Sequence, residues 1–187
     1  MVGLLILPAF TQQTKWTFDK AHSKIGFTVV HMVISEVSGS FGEFSGKVYS
    51  DTEDFTDARV ELSISTSSVN TGNDRRDNHL RSADFFNVEK FPEITFKSSA
   101  MKKVGDRKYK LEGDFTMHGV TRKVVLDASL GGVIKDPYGR TRAGFKVTGT
   151  LNRKDFGLTW NNTLESGGVV ISDEVKLNCS VELVREK

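Results

Sequence analysis

The 187-residue chain contains one cysteine and three prolines. A lone cysteine excludes an internal disulfide, so the fold must be held by a packed core. Charge of one sign is also missing: 26 basic and 24 acidic residues give a net charge of +2 without long blocks. That balance provides no basic stripe for nucleic acid. No apolar run approaches the roughly 20 residues that a bilayer-spanning helix needs. Metal-site spacings such as HxH, HExxH or CxxC are absent, and so are a GxSxG nucleophile elbow and a glycine-rich phosphate loop. His22, His31, His79 and His118 are scattered along the chain. No metal or cofactor is therefore expected. The sequon-like "NNT" and "NCS" matter only in a eukaryotic secretory pathway, which no other feature indicates.

Thirteen phenylalanines and seventeen glycines are what the chain does have. With so little proline, this mix suits a β-rich domain with many turns. At this length one domain is the simplest organisation. The opening "MVGLLILPAF" is apolar and gives way abruptly to "TQQTK". It is like the apolar core of a secretory signal, but without a positive start or a good cleavage site. Residues 1–14 are read as a truncated leader, which places the protein in the periplasm or another extracytoplasmic space; the alternative is an ordinary terminal strand of a cytoplasmic protein. The folded domain is then 15–187.

From Trp16 onward the apolar period is two. Ile25, Phe27, Val29, His31 and Val33 share one face, as do Val60, Leu62 and Ile64. Tyr109, Leu111, Gly113, Phe115 and Met117 oppose Lys108, Lys110, Glu112, Asp114 and Thr116. Val120, Val124, Leu126, Ala128 and Leu130 align, although Arg122 interrupts the row; Phe145, Val147 and Leu151 continue the pattern, then Val175, Leu177, Cys179, Val181 and Leu183. Cys179 therefore reads as a small buried hydrophobe. "KDPYGR" and "KKVGDRK" mark hairpin turns. Strands without intervening amphipathic helices imply an antiparallel sheet, whose apolar faces must cover one another as a sandwich or a barrel. An eight-stranded barrel either fills with side chains or holds one small ligand, and periodicity does not decide between them.

"NDRRDNHLRSADFF", residues 73–86, breaks the alternation. It is the best helix candidate, near 73–83: Asn73 caps it, Asp74 suits its positive end, and Asp77 with Arg81 makes an i,i+4 pair. Its apolar face is thin, so Leu80, Phe85 and Phe86 must anchor it. Asp77 and His79 could orient a general base, but residues two apart on a helix do not face each other, and solvated ion pairs are the simpler reading. His31 lies on an apolar face, where it reads as a hydrogen-bonded core histidine or as one polar group inside a cavity.

Taken together, "WTFDKAHSKIGFTVVH", "GSFGEFSG", "RRDNHLRSADFF", "KFPEITFKS", "MHGVTRKV", "AGFKV" and "NRKDFGL" occur in the order and spacing of the YceI-like family. The resemblance runs from Trp16 to about Glu182. It implies an all-β, single antiparallel lipocalin-like barrel of about eight strands with an elongated apolar pore. It also implies binding of polyisoprenoids or similar long amphiphilic lipids, often after export to the periplasm. The family pattern falls on His22, Ser23, His31, Arg76, Asp77, His79, Leu80, Phe85, Phe86, Pro92, His118, Gly119, Thr121, Asp155, Phe156 and Gly157.

With a pore implied, the inward apolar residues become its candidate wall: Phe27, Val29, Leu62, Ile64, Phe96, Phe115, Met117, Leu126, Phe145 and Val147, with His31. The 73–86 stretch becomes a short helix across one barrel end, with Leu80, Phe85 and Phe86 turned inward to gate entry and Arg76 or His79 facing a polar head. The expected function is non-catalytic binding or transport of a polyisoprenoid, an isoprenoid quinone or a fatty-acid-like lipid. The partner is that lipid, with no nucleic acid and no transmembrane segment, and a homodimer is compatible with the family. The alternatives are a stress-related or signalling barrel with a filled core that acts through protein partners, and an enzyme acting on a bound lipid.

Overall fold

A computed structural model describes residues 13–163 and 168–186. Eleven strands form one antiparallel sheet: β1 (Lys15–Phe18), β2 (Lys24–His31), β3 (Ser35–Phe41), β4 (Phe44–Tyr49), β5 (Arg59–Ser65), β6 (Val69–Asn70), β7 (Glu93–Gly105), β8 (Lys108–Met117), β9 (Val120–Lys135), β10 (Thr141–Asn152) and β11 (Ile171–Arg185). The single α-helix among the described residues, α1, spans Asp74–Arg81.

The eleven strands occupy eight lanes. β1 and β2 both run antiparallel to β11, β1 against Leu183–Arg185 and β2 against Ile171 and Val175–Ser180. β3 and β4 form the next lane, since β3 pairs with β2 and β4 with β1. β5 and β6 form the third, pairing with β4 and β3 respectively. The remaining lanes are the continuous strands β7 to β11, joined in sequence order, and the β1–β11 pairing closes the ring. The protein is a closed, eight-stranded antiparallel barrel of the lipocalin type. The three broken lanes bend where a short 3-10 turn or a two-residue kink intervenes. One such kink is tied across lanes: the Gly42 N–H donates to the Ser68 carbonyl (3.1 Å) and the Ser65 N–H to the Glu43 carbonyl (2.9 Å).

The alternating rows fold as their chemistry requires. On β8 the row Tyr109, Leu111, Gly113, Phe115 and Met117 is buried, while Lys108 and Asp114 are exposed. Two glycines make room for rings: a Cβ at Gly39 would lie 2.4 Å from the Phe27 ring, and one at Gly113 would lie 2.7 Å from the Phe96 ring. The turn after β8 uses positive φ at His118 and Gly119. Of the segment read as a leader, only Gln13 and Thr14 are described, and Thr14 already belongs to the fold. Its N–H donates to Asp51 (2.7 Å) and its carbonyl accepts from the Ser50 N–H (2.9 Å). The rest of that expectation lies outside the described residues.

One barrel end is plugged by the loop between β4 and β5. Phe55, at φ 56° and 1% exposed, turns its ring inward. The ring centroid lies 5.0 Å from those of Trp16 and Phe145. Asp57 holds the loop, accepting from the Ser50 hydroxyl (2.6 Å), the Asp51 N–H (2.8 Å) and the Thr52 hydroxyl (2.8 Å). Burial pulls its carboxyl up, but these bonds outweigh that and hold its pKa below the usual range.

Outside the barrel, Asp19, His22 and Glu182 lie close enough to bind a cation. Arg142 already fills that role: it donates to Asp19 (2.6 Å), to Asp136 (2.8 Å) and to Glu182. Its guanidinium, followed by His22, lowers the Asp19 pKa to about 2, and it also holds Asp136 well below the usual carboxylate range. An unfolded aspartate titrates near pH ~3.9, so this stabilisation is complete above about pH 4; the Asp19 share is lost as pH falls toward about 2, and the Asp136 share at still lower pH. Arg142→Ala is expected to lower the melting temperature at pH 7, with the gap to wild type narrowing as pH falls from about 4 toward 2. A gap independent of pH, measured by circular dichroism, would reject the assignment.

Candidate functional site: an apolar tube with a polar mouth

A cavity of about 620 Å³ runs along the barrel axis. At the plugged end its wall is fully buried: Phe55, Ala58, Met101 and Leu111. Its middle is apolar, lined by Ile25, Phe27, Phe96, Phe115, Leu126, Ala128, Phe145, Val147, Leu177 and Cys179. Toward the other end the lining turns polar with His31, Thr71, Asn73, Arg75, Arg76, His79, Arg153 and Trp160. Asn73, Arg75 and Arg76 are exposed, so this end is the mouth. An apolar tube with one polar, solvated end matches the shape of an amphiphile.

Thirteen of the fourteen residues singled out from the sequence line this cavity: Phe27, Val29, His31, Leu62, Ile64, Leu80, Phe85, Phe96, Phe115, Met117, Leu126, Phe145 and Val147. Phe86 does not. It is buried beside the tube, with its ring 5.7 Å edge-on from Phe41, and it anchors the segment after α1 rather than gating entry. The His31 ring makes no hydrogen bond to a described residue, so the cavity reading replaces that of a bonded core histidine. Burial pushes the Cys179 thiol up, leaving it a neutral, apolar part of the wall.

The helix across the mouth is built as its sequence asks at one end and differently at the other. Asn73 caps α1, its side chain accepting from the Arg76 N–H (3.0 Å). The expected Asp77–Arg81 pair does not form. Asp77, 4% exposed, turns inward to accept from both the N–H (2.9 Å) and the hydroxyl of Thr71. Arg81 reaches back to the carbonyls of Ser67 and Val69, 2.8 Å each. A buried carboxylate gains more from two fixed donors than from a cation that water would otherwise solvate. Arg76 clamps the same Thr71 from the other side, at 2.7 Å to the hydroxyl and 2.9 Å to the carbonyl. Asp77 and His79 are not a pair, as their spacing indicated. His79 bonds Asp84 (2.9 Å) instead.

Two lid components were missed in the sequence. Arg153, 3% exposed, donates to the carbonyls of Ser172 (3.0 Å), Leu158 (2.6 Å) and Trp160 (2.9 Å) and to Asp173 (3.3 Å). It fixes Trp160 over the mouth. There the rings of His79, Phe85 and Trp160 form a triangle with centroids 4.8–5.1 Å apart. This triangle latches α1 to the loop after β10. Phe85→Ala is expected to speed release of a bound fluorescent fatty acid several-fold and, because Phe85 is itself buried, to lower the melting temperature as well; stopped-flow displacement checks it, and an unchanged rate removes the latch. The motif residues Phe156 and Gly157 serve the fold: Phe156 packs on Phe115 (5.5 Å) and Gly157, at φ 80°, ends the turn. His118 packs on Phe91 (4.3 Å) with Nε2 buried and unbonded, outside the cavity wall.

A closed barrel and an apolar lumen with a polar mouth define a lipocalin-like barrel built around an internal cavity. Within that class, the chain belongs to the YceI-like domain family, whose model matches residues 16–183. The UPF0312 protein SAB2563 of Staphylococcus aureus is 41% identical over 170 residues, which is 90% of this chain and 96% of that protein. The YceI protein of Campylobacter jejuni is 35% identical, with a TM-score of 0.72 over 97% of this chain and 99% of its own. BcnA of Burkholderia cenocepacia, at 21% identity, shares the fold with a TM-score of 0.77 over 88% and 98% of the two chains. A polyisoprenoid-binding domain of Saccharophagus degradans, at 18% identity, does so with a TM-score of 0.66 over 91% and 98%.

Proposed function

We propose that this protein binds and carries a long-chain amphiphilic lipid, such as a polyisoprenoid, an isoprenoid quinone or a fatty-acid-like molecule, without chemically altering it. The observation that carries this reading is the polarity gradient of the cavity, apolar along its length and cationic only at its mouth. Its volume falls within the roughly 300–1,000 Å³ of ligand pockets. Burial of one methylene is worth about 0.8 kcal/mol. Ten of them give about 8 kcal/mol, the scale of a micromolar Kd, before the cost of association. The tube needs no reactive group to hold its cargo. Of the polar groups at the mouth, Arg153 and Arg76 tie down backbone, and His79 is bonded to Asp84. The similarity in fold to a polyisoprenoid-binding domain supports a prenyl chain as one cargo. An open lumen runs against the filled-core, signalling alternative. The apolar N-terminal decapeptide supports an extracytoplasmic setting, where a lipid must cross water between membranes.

Native mass spectrometry of gently purified protein, followed by solvent extraction, tests the proposal. One prenyl or acyl chain per barrel is the expected result. A mass that stays unliganded after isoprenoid quinones and fatty acids are offered would overturn it.

A further inference from the structure

The tip of the β2–β3 hairpin carries three consecutive exposed apolar side chains: Met32 at 40%, Val33 at 69% and Ile34 at 86%. The other large exposed hydrophobics, Val104, Val125, Ile134 and Tyr138, form no consecutive run and lie on other hairpins, whereas Val169 (40%) lies beside the tip. A Cβ placed on Gly168 would lie 3.5 Å from a Val33 methyl, so Gly168, next to Val169, lies beside the tip.

This apolar tip is built at a conformational cost. Met32 and Val33 both adopt positive φ, 51° and 65°. Such positions favour glycine or asparagine and penalise a β-branched residue. A sequence that needed only a tight turn would use Asn-Gly there. Strain at an exposed apolar position points to the side chains themselves being wanted.

Their location says what they meet. The tip is continuous with the cavity mouth: His31, which precedes it, lines the cavity, and the Met32 N–H donates to the carbonyl of Val170, another lining residue (2.9 Å). The β3 strand pairs with β6 only at Phe41 and Ser40, so residues 35–39 carry the hairpin beyond its neighbour on that side. Across the same mouth lies Arg75, exposed and without an ion pair or side-chain hydrogen bond to a described residue, next to Arg76. Apolar side chains to enter an acyl layer, flanked by cations for phosphate headgroups, complement an anionic lipid surface.

We infer that hairpin residues 32–34 dock the cavity mouth onto an anionic lipid bilayer, so that cargo passes between membrane and tube without crossing bulk water. The inference rests on the lipid-carrier reading of the cavity, but its test separates the two. The double variant V33N/I34Q keeps the hairpin, because asparagine tolerates positive φ, and its melting temperature should equal or exceed that of wild type. Both proteins are loaded with a pyrene-labelled fatty acid in vesicle-free solution, which reads the cavity alone. Uptake of the same probe from phosphatidylcholine–phosphatidylglycerol vesicles and flotation of unloaded protein with those vesicles read docking.

The expected result is equal loading in solution, uptake from vesicles at least tenfold slower for the variant, and flotation of wild type only. Both docking readouts should weaken on phosphatidylcholine alone. Uptake by the variant at the wild-type rate, or absence of wild-type flotation, overturns the inference. Failure of both proteins to load in solution condemns the carrier reading, while flotation still decides docking. A wild-type dimer in sedimentation that the variant dissolves, with no vesicle binding, would make the tip a contact between two copies and overturn the inference as well.

Discussion

Val147→Trp is expected to abolish lipid uptake while leaving the barrel folded. Val147 sits mid-strand on β10, opposite Ala128 on β9 and Cys179 on β11, and all three line the cavity. An indole there projects across the lumen at its midpoint and divides the tube into two compartments too short for a long tail. The added ring occupies empty space, so overpacking is limited and the fold should survive, at a cost of about 1–3 kcal/mol. Losing contact with ten methylenes removes about 8 kcal/mol of burial, so a micromolar ligand should become undetectable. Titration with a fluorescent fatty acid, alongside a thermal melt, checks the result. Wild-type affinity in a folded variant would mean that the cargo binds elsewhere.

Phe55→Ala is expected to have the largest effect on stability. The side chain is almost fully buried between Trp16 and Phe145 and closes the barrel base. Truncating a buried phenylalanine costs about 3–5 kcal/mol. In a domain of this size that corresponds to a fall in melting temperature of roughly 10 °C. The same change extends the lumen through the base, so the variant should accept longer tails than wild type relative to short ones. A loss below about 1 kcal/mol in urea unfolding would show that the loop does not serve as a plug.

Which of these features could be read from the sequence depends on how far each signal reaches along the chain. The rows on β8, β9 and β10 were legible because alternation is a local property, and their buried residues fall where parity requires, with Arg122 the exposed exception on β9. That β1 with β2, β3 with β4, and β5 with β6 each share a lane was not legible, because only their pairing partners reveal it. β11 was read as a strand, but its row Val175, Leu177, Cys179 and Val181 was not assigned to the cavity wall. Phe55 carried a signal that could have been used: one phenylalanine in the polar loop "DTEDFTDA" must have somewhere to go. Asp77 was paired with Arg81 because helix spacing allowed it, whereas the unsatisfied N–H and hydroxyl of Thr71, six residues earlier, took the carboxylate. Arg153 and Trp160 act through backbone carbonyls brought together by the loop after β10, which no spacing rule encodes. The pore itself was implied by family resemblance; composition and periodicity left open whether the barrel was filled.

The closure between β1 and β11 also governs how the molecule comes into being. Thr17 bonds to the carbonyl of Val184, a partner 167 positions away. The hairpins from β7 to β11 join neighbours in sequence and can form as the chain emerges. The seam between first and last strands cannot form until the C-terminus is free, and it bears the largest loop-closure entropy in the fold. Until then the apolar inner face is the exposed side of an open sheet with two unpaired edges. The chain therefore passes through a stage in which its future lumen is its most adhesive surface, and folding is a race between sealing that seam and aggregation.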